Sequence, residues 1–323
     1  MLYRVDMSKM VVTQEKETEY QGLGGRLLSK NILRQELAVT ADVWKDNKIV
    51  LATGLLAGMQ PIYAGRLSLC MKSPVLGEVK ENNTGGMLAD QLGRMNTRAI
   101  IIEGLPSVKS TYILYISPKK AEIQVMPTLQ NLDFQVTADF LSAHFGKQIA
   151  VGCIDAAGEK QLTEGMFGIT NIKGKVVHFA GRSQSGVAAV FASKGIKAIV
   201  VDAEGEIPVA VDQLAFQTAS AYILSLLNQG EGMSQQRLKE GACLACGNLS
   251  CAKWSHVEPG HTEHRYMFWK SAENGFIDSM GVCLFAVKTL QQDKTGLEKL
   301  AMMCNARYGW NKTLAEYLSL AEN

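Results

Sequence analysis

Short apolar runs rich in β-branched residues recur through the first two hundred residues of the chain. Gly, Pro or Asn stands near the ends of these runs, which is typical of buried strands separated by turns. The runs are KIVLAT (48–53), RAIIIEG (98–104), TYILYIS (111–117), QIAVGC (148–153) and KAIVVDA (197–203). After about residue 206 helical spacing replaces them, as in VDQLAFQTASAYILSLLNQ (211–229). We therefore predict an α+β protein with a mixed sheet domain over 1–207 and a smaller, mainly helical segment over 208–323.

A weak internal repeat lies within the predicted sheet domain. GGMLADQLGRMNTRAIIIEG (85–104) and SGVAAVFASKGIKAIVVDAEG (185–205) each run from a glycine turn through a short helix into an apolar strand that ends in an acid and glycine. If the two copies pack about a pseudo-twofold axis, two helix N-termini converge, and such termini bind anions. Units of this kind also recur by chance in α/β proteins, so the repeat by itself leaves both interpretations open.

The charge pattern argues against nucleic acid as the main partner. The 33 Lys and Arg residues are nearly balanced by 31 Asp and Glu residues, and the two signs are interspersed. Phosphate neutralisation needs clustered positive charge, which this chain lacks. No apolar run approaches the roughly 20 residues of a membrane span, and MLYRVDMSKM (1–10) does not have the pattern of a signal peptide. We therefore expect a soluble, cytoplasmic protein.

Four cysteines in the last third of the chain are spaced as ligands of an iron–sulfur cluster. Three lie in ACLACGNLSC and the fourth in DSMGVC: Cys243, Cys246, Cys251 and Cys283. A [4Fe–4S] cube needs four thiolates, and a tight loop can supply three while a distant cysteine closes the fourth corner. Zinc also accepts four thiolates, although structural zinc sites more often use two paired knuckles. The spacing favours a cluster and leaves zinc or unliganded thiols as alternatives.

The other three cysteines, Cys70, Cys153 and Cys304, stand among apolar neighbours. Free cysteine is among the most often buried residue types, so we expect these three to be plain core residues. Seven cysteines is an odd number, and a disulfide scaffold is not expected in a reducing compartment.

Over most of its length the chain resembles the tungsten-dependent aldehyde:ferredoxin oxidoreductases. CLACGNLSC and DSMGVC follow the other matching segments in the order found in that family. Those segments are LYRVDMS (2–8), YQGLGGRLLSKNIL (20–33), LATGLLAG (51–58), AGRLSLCMKSPVLG (64–77), NNTGG (82–86), RAIIIEG (98–104), AAGE (156–159) and AGRSQSGVAAVFASKGIKAIVV (180–201).

The resemblance implies a saddle-shaped amino-terminal domain under a bis-pterin tungsten cofactor, for which molybdenum is an alternative metal. Arg66 would lie between the cluster and a pterin phosphate, a position that suits an always-charged guanidinium. Carbonyl oxygens at Asn83 and near Ala180 would hold a Mg²⁺ ion that joins the two phosphates. Asp278 would hydrogen-bond a pterin ring, and Cys283 would be the fourth cluster ligand. The implied cofactor-binding set is Arg66, Asn83, Gly85, Gly86, Ala180, Gly181, Arg182 and Asp278.

The chain departs from the family pattern in three ways. Ser183 and Gln184 replace glycines in GRSQSG, where the backbone approaches a phosphate. The second and third cysteines are separated by four residues where the family usually has three. Between Cys251 and Cys283 there are 31 residues where full-length relatives have several hundred, which build the helical domains of the substrate channel. We therefore expect a miniature member of the family.

The short stretch WSHVEPGHTEHRYMFW (254–269) stands where those domains would be. Full-length relatives place a glutamate and a histidine beside tungsten for proton transfer, and Glu263 and His264 are the candidates here. A polar loop with incidental histidines is the alternative, and a separate metal site is weaker because Pro259 and Gly260 disrupt helical spacing.

The resemblance implies an oxidoreductase that oxidises an aldehyde to a carboxylic acid under anaerobic conditions. Electrons would pass from tungsten or molybdenum through the pterin and the [4Fe–4S] cluster to ferredoxin or another carrier. The alternative is a non-catalytic, cofactor-binding subunit of a split enzyme. In that case a partner subunit or a homodimer would cover the open face.

Overall fold

The computed structural model describes residues 1–16, 18–59, 65–181, 185–206, 208–219 and 221. Within them, twelve strands form two six-stranded mixed sheets, and helices pack on and between the sheets. The predicted α+β class and mixed sheet domain are confirmed. All five apolar runs that predicted strands contain strands at the expected places.

The first half of the sheet region comprises six strands and two helices. The first sheet has the strand order β2-β1-β6-β3-β4-β5, in which only β1 and β6 pair in parallel. A short 3₁₀ turn, Thr18–Tyr20, precedes the first helix. The elements are β1 (Leu2–Asp6), β2 (Val11–Glu15), α1 (Gly25–Glu36), β3 (Ile49–Thr53), β4 (Leu67–Lys72), β5 (Val79–Thr84), α2 (Met87–Arg94) and β6 (Ala99–Glu103).

The second half repeats this plan and adds a one-turn helix, α4. A second 3₁₀ turn, Pro127–Leu129, precedes the helix that corresponds to α1. The elements are β7 (Tyr112–Ile116), β8 (Ala121–Val125), α3 (Phe134–Phe145), β9 (Ala150–Ile154), α4 (Ala156–Glu159), β10 (Phe167–Thr170), β11 (Val176–Ala180), α5 (Val187–Ser193) and β12 (Ile196–Val201).

The two sheets share one topology. Read from its other edge, the second sheet has the order β8-β7-β12-β9-β10-β11, which matches the first sheet strand for strand. Its single parallel pair, β7 with β12, corresponds to β1 with β6. The sequence repeat at 85–104 and 185–205 covers α2–β6 and α5–β12, which are equivalent units of the two halves. The internal repeat is therefore real and extends over each whole half.

The largest hydrophobic core lies between the two sheets and includes α2 and α5. Ile49 and Leu51 on β3 face this core, whereas Val50 and Ala52 face the smaller core under α1. A third core lies under α3 on the outer side of the second sheet. Strands buried on both faces read as continuous apolar runs instead of alternating ones, which explains the sequence pattern. In the central core the rings of Phe167 and Phe191 stack with centroids 4.6 Å apart.

Cys70 and Cys153 are buried core residues with free thiols, as the sequence predicts. Burial raises the pKa of both thiols to about 12, so neither is a thiolate at neutral pH. Cys304 lies outside the described residues.

Beyond β12 the described chain turns helical at 213–219, within the predicted helix 211–229. The remainder of the predicted helical segment, with its cysteines, lies outside the described residues, and the domain boundary at 207 stays a prediction. None of the helices that the structure describes is long and apolar enough to cross a membrane.

Candidate functional site

The edge strands β5 of the first half and β11 of the second half contact each other. The residues implied in cofactor binding cluster at the ends of these strands. Asn83 lies on β5 and Ala180 ends β11, while Arg66 immediately precedes β4, the neighbour of β5. The topology thus brings together residues that are distant in sequence.

Arg66 and Asn83 form the best-defined contact of this site. Arg66 Nε donates to Asn83 Oδ1 at 2.6 Å, and Arg66 Nη2 donates to the main-chain oxygen of Asn83 at 3.1 Å. These two hydrogen bonds to a single residue fix the plane of the Arg66 guanidinium, and the residue is half-buried. Among the described residues, Arg66 Nη1 has no hydrogen-bond acceptor. A fixed cation with an unused donor is suited to bind an anion.

A buried carboxylate lies behind this pair. Glu81 Oε1 accepts from Ser68 Oγ at 2.9 Å and from Asn83 Nδ2 at 3.4 Å. Glu81 Oε2 accepts from Arg26 Nε at 3.1 Å, with Arg26 Nη2 at 3.0 Å. Ser29 Oγ lies 2.8 Å from Ser68 Oγ and ties the group to α1. The side chains of Arg26 and Glu81 are each only 4% exposed, so this is a buried ion pair.

Sequence reasoning missed Arg26 and Glu81. Both lie beside or within segments that carry the resemblance, but a charged side chain ordinarily indicates an exposed position. The detectable signal was the polar run VKENNT (79–84), which forms a strand although it lacks the apolar character of the other strands. A polar strand of this kind marks an edge whose side chains serve a polar site.

Gly85 and Gly86 form the tight turn from β5 into α2. Gly86 has φ 112° and ψ 174°, a backbone region that is essentially restricted to glycine. A Cβ at this position would lie 2.3 Å from Ile169 Cγ2 on β10. The turn therefore packs directly against the second half, and only glycine permits that approach.

The equivalent turn of the second half begins at Ala180 and Gly181. Ala180 is buried. Gly181 has φ 99°, and a Cβ at this position would lie only 2.9 Å from Val187 Cγ1. Arg182, Ser183 and Gln184 lie outside the described residues, so the departure in GRSQSG is not tested.

A buried polar contact ties the β4–β5 hairpin to the start of α5. Ser185 Oγ donates to Asn82 Oδ1 at 3.0 Å, and Ser73 Oγ donates to the main-chain oxygen of Ser185 at 2.8 Å. Asn82 Nδ2 is buried and has no hydrogen-bond partner among the described residues. These contacts join the two halves on the inner side of β5, opposite to Asn83.

His178 on β11 is the topological equivalent of Asn82 on β5. Asn82 pairs with Leu69 and His178 pairs with Ile169 at corresponding places in the two sheets. Burial, together with the positive charge of Arg66, lowers the pKa of His178 to about 4. The imidazole is therefore neutral at pH 7, and Arg66 acts electrostatically across the junction. Sequence reasoning missed His178, because its equivalence to Asn82 follows from strand register.

The remaining predicted site residues lie outside the described residues. They are the four cysteines, Cys243, Cys246, Cys251 and Cys283, the pterin-contacting Asp278, and the proton-transfer candidates Glu263 and His264. Within the part of the chain that the structure describes, no group of three or more His, Cys, Asp or Glu side chains is placed to hold a metal ion.

Residues 2–203 match the model of the family described as "Aldehyde ferredoxin oxidoreductase, N-terminal domain". The chain belongs to this family. The match begins with β1 and ends just after β12, so it covers both halves of the sheet region. The family resemblance is therefore confirmed over residues 2–203.

Curated relatives show the same relationship. The chain is 29% identical over 201 residues to the tungsten-containing aldehyde ferredoxin oxidoreductase of Pyrococcus furiosus, covering 62% of this chain and 32% of that protein. It is 30% identical over 215 residues to the enzyme of the same name from Thermococcus kodakarensis, covering 65% of this chain and 34% of that protein. The chain spans about a third of the length of these relatives.

A solved structure has the same fold. It is the active site complex BamBC of benzoyl coenzyme A reductase with 1,5-dienoyl-CoA, and it superimposes with a TM-score of 0.63 at 22% identity. The superposition covers 74% of this chain and 38% of the other. At this identity the likeness supports the fold alone.

Proposed function

We propose that this family member is an oxidoreductase that oxidises an aldehyde to a carboxylic acid at a tungsten, or molybdenum, bis-pterin. Electrons would leave through a [4Fe–4S] cluster to ferredoxin or another carrier. The observation that carries the proposal is the Arg66–Asn83 pair at the junction of two topologically equivalent halves. A cofactor with two similar pterins suits a protein surface with two similar halves.

The residues present fit the phosphate side of such a cofactor. Arg66 supplies a held cation with an unused Nη1 donor, and guanidinium groups bind phosphate well. The main-chain oxygen of Asn83 accepts a hydrogen bond from Arg66 Nη2. That oxygen and the oxygen of Ala180 are hard ligands of the kind that Mg²⁺ prefers.

The bound cofactor would supply the two-electron chemistry of aldehyde oxidation. In our proposal Arg66 binds and orients a pterin phosphate, and the main chain of the turns at Gly86 and Gly181 contributes to the same site. Asp278 hydrogen-bonds a pterin ring, and Glu263 or His264 takes up a proton released by the reaction.

We propose that Cys243, Cys246, Cys251 and Cys283 hold the [4Fe–4S] cluster as thiolates. Such ligands suit a reducing, anaerobic compartment, and we therefore propose a cytoplasmic location. Zinc remains the competing metal. A zinc site and a [4Fe–4S] cluster differ in colour and in electron paramagnetic resonance.

An activity measurement tests the proposed function. The full chain, purified without oxygen, is assayed for aldehyde-dependent reduction of a viologen dye. We expect reduction that depends on aldehyde and that is lost when Arg66 is replaced by Ala. An inactive wild type that contains the complete cofactor would contradict the proposal of a self-sufficient enzyme.

The alternative is a cofactor-binding subunit of a split enzyme. The matched region, residues 2–203, contains Arg66 and Asn83, whereas Glu263 and His264 lie beyond it. The isolated chain would then bind cofactor but oxidise aldehyde only after a partner subunit is added. Partner-dependent activity distinguishes this candidate from the first.

A further inference from the structure

A continuous series of polar contacts runs from helix α1 to Arg66. It passes from Arg26 to Glu81, then to the Asn83 amide, and ends at the guanidinium of Arg66. We propose that the buried Arg26–Glu81 ion pair is a positioning device that holds Arg66 in place and keeps its charge available to a phosphate. This inference rests on the proposed function, since it takes a pterin phosphate as the partner of Arg66.

The first part of the device sets the orientation of the Asn83 amide. A carboxylate only accepts hydrogen bonds and a guanidinium only donates them. Glu81 Oε1 therefore requires the amide NH₂ of Asn83, at 3.4 Å, and Arg66 Nε requires the amide oxygen, at 2.6 Å. With the amide reversed, both contacts would be repulsive. Glu81 and Arg66 thus select the same orientation of the Asn83 amide, and the amide in turn links the two side chains.

The second part of the device is charge balance. Glu81 is separated from Arg66 by a single amide, so an uncompensated carboxylate there would attract the guanidinium and offset its charge. Arg26 prevents this by directing Nε and Nη2 to Glu81 Oε2 at 3.1 and 3.0 Å. The three charged groups sum to one positive charge. Arg26 and Glu81 offset each other, so the remaining charge is that of Arg66. The Arg66 side chain is half-buried, whereas the other two side chains are each 4% exposed.

Fold stability alone does not account for this pair. A buried ion pair loses hydration, and well-packed apolar residues of similar volume often stabilise a protein equally well or better. Here Glu81 also accepts a hydrogen bond from Ser68 Oγ, and Ser68 Oγ lies 2.8 Å from Ser29 Oγ on α1. The carboxylate itself is therefore held rigidly. A rigid acceptor behind Asn83 is what a positioning role requires.

One pair of variants of the full chain tests the charge balance. Both Arg26→Gln and Arg26→Lys remove the guanidinium fork, but only Arg26→Gln removes the positive charge. We expect Arg26→Gln to lower the pterin content per chain about tenfold, the scale of losing one charge-assisted hydrogen bond. Arg26→Lys should stay within about threefold of wild type, because it keeps the charge that Glu81 needs. Equal loss in both would contradict the charge argument.

A second pair of variants tests the amide orientation. Arg26→Gln with Glu81→Gln and Arg26→Leu with Glu81→Leu both remove the two charges together. Only the first keeps a side-chain oxygen that can accept from Asn83 Nδ2. We expect the Gln pair to retain cofactor and the Leu pair to lose it about tenfold while remaining folded, as thermal unfolding will show. Neither double variant contains an unpaired buried charge. Both can therefore test the inference if Arg26→Gln does not fold.

The outcomes separate this inference from the proposed function. Pterin content is measured by oxidative fluorescence, and tungsten or molybdenum by elemental analysis, with Arg66→Ala as the reference for loss. A wild type without pterin overturns both ideas. If Arg66→Ala loses pterin but the folded Leu pair keeps the wild-type amount, the positioning inference fails and the proposed function stands.

Discussion

Replacing Gly86 by Ala tests whether the two halves depend on the close approach of the β5–α2 turn to β10. At φ 112° and ψ 174° an alanine is strained by about 1–3 kcal/mol. Its Cβ would also lie 2.3 Å from Ile169 Cγ2 and 2.8 Å from Ile169 Cβ. Relieving such overpacking costs about another 1–3 kcal/mol. We therefore expect the free energy of unfolding to fall by about 2–6 kcal/mol.

Gly77→Ala is the matched control. Gly77 also has a positive φ, 68°, but a Cβ there meets nothing within 4 Å. This variant should lose only the backbone term of about 1 kcal/mol. Urea unfolding at neutral pH, followed by circular dichroism, measures both variants.

A double variant identifies the contact. If the clash with Ile169 causes the loss, the cost of Gly86→Ala should be smaller in an Ile169→Ala background than in wild type, with a coupling of about 1–3 kcal/mol. Equal costs for Gly86→Ala and Gly77→Ala, or strict additivity with Ile169→Ala, would refute the reasoning.

Three further predictions concern a buried base, the cluster and proton transfer. The pKa of His178, about 4, lies below the unfolded value of about 6.5, so its contribution to stability is present above pH 6.5 and is lost as pH falls through 4. It amounts to about 2 kcal/mol lost by pH 5, and His178→Asn should flatten that part of a urea-unfolding pH profile; an unchanged slope would contradict it. Cys283→Ser should weaken or convert the cubane signal in electron paramagnetic resonance, and an unaltered signal would remove Cys283 from the cluster. Glu263→Gln or His264→Ala should lower aldehyde-dependent viologen reduction about 10²-fold or more without loss of metal, and full rates in both would refute their assignment.

The sequence predicted the strands whose side chains are apolar on both faces. Runs such as 98–104 and 197–203 lie between two cores, so their composition reveals them directly. Strand β5 was not predicted, because its polar residues are matched to polar partners: Glu81 contacts Arg26 and Ser68 on one side, and Asn82 contacts Ser185 on the other. Its side chains are selected by contacts with residues distant in sequence, which local patterns do not reveal.

The candidate site was predictable only in part. Arg66 and Asn83 were identified by resemblance, and their contact confirms that they lie together without testing their role. Arg26 and Glu81 were missed because each charged residue alone resembles a surface residue, and only the fold shows that they neutralise each other. His178 and Asn82 were missed because their equivalence follows from strand register. Both residues lie before the segments 85–104 and 185–205 in which the sequence repeat is visible.

Combined metal and pterin analysis tests whether one chain holds both the cluster and the pterin cofactor. The full chain is purified without oxygen from a host that makes tungsten or molybdenum pterin cofactors. We predict about four iron atoms per chain, as a [4Fe–4S] cluster requires, together with near-stoichiometric tungsten or molybdenum, phosphorylated pterin and little zinc. Stoichiometric zinc without iron or pterin would contradict the account.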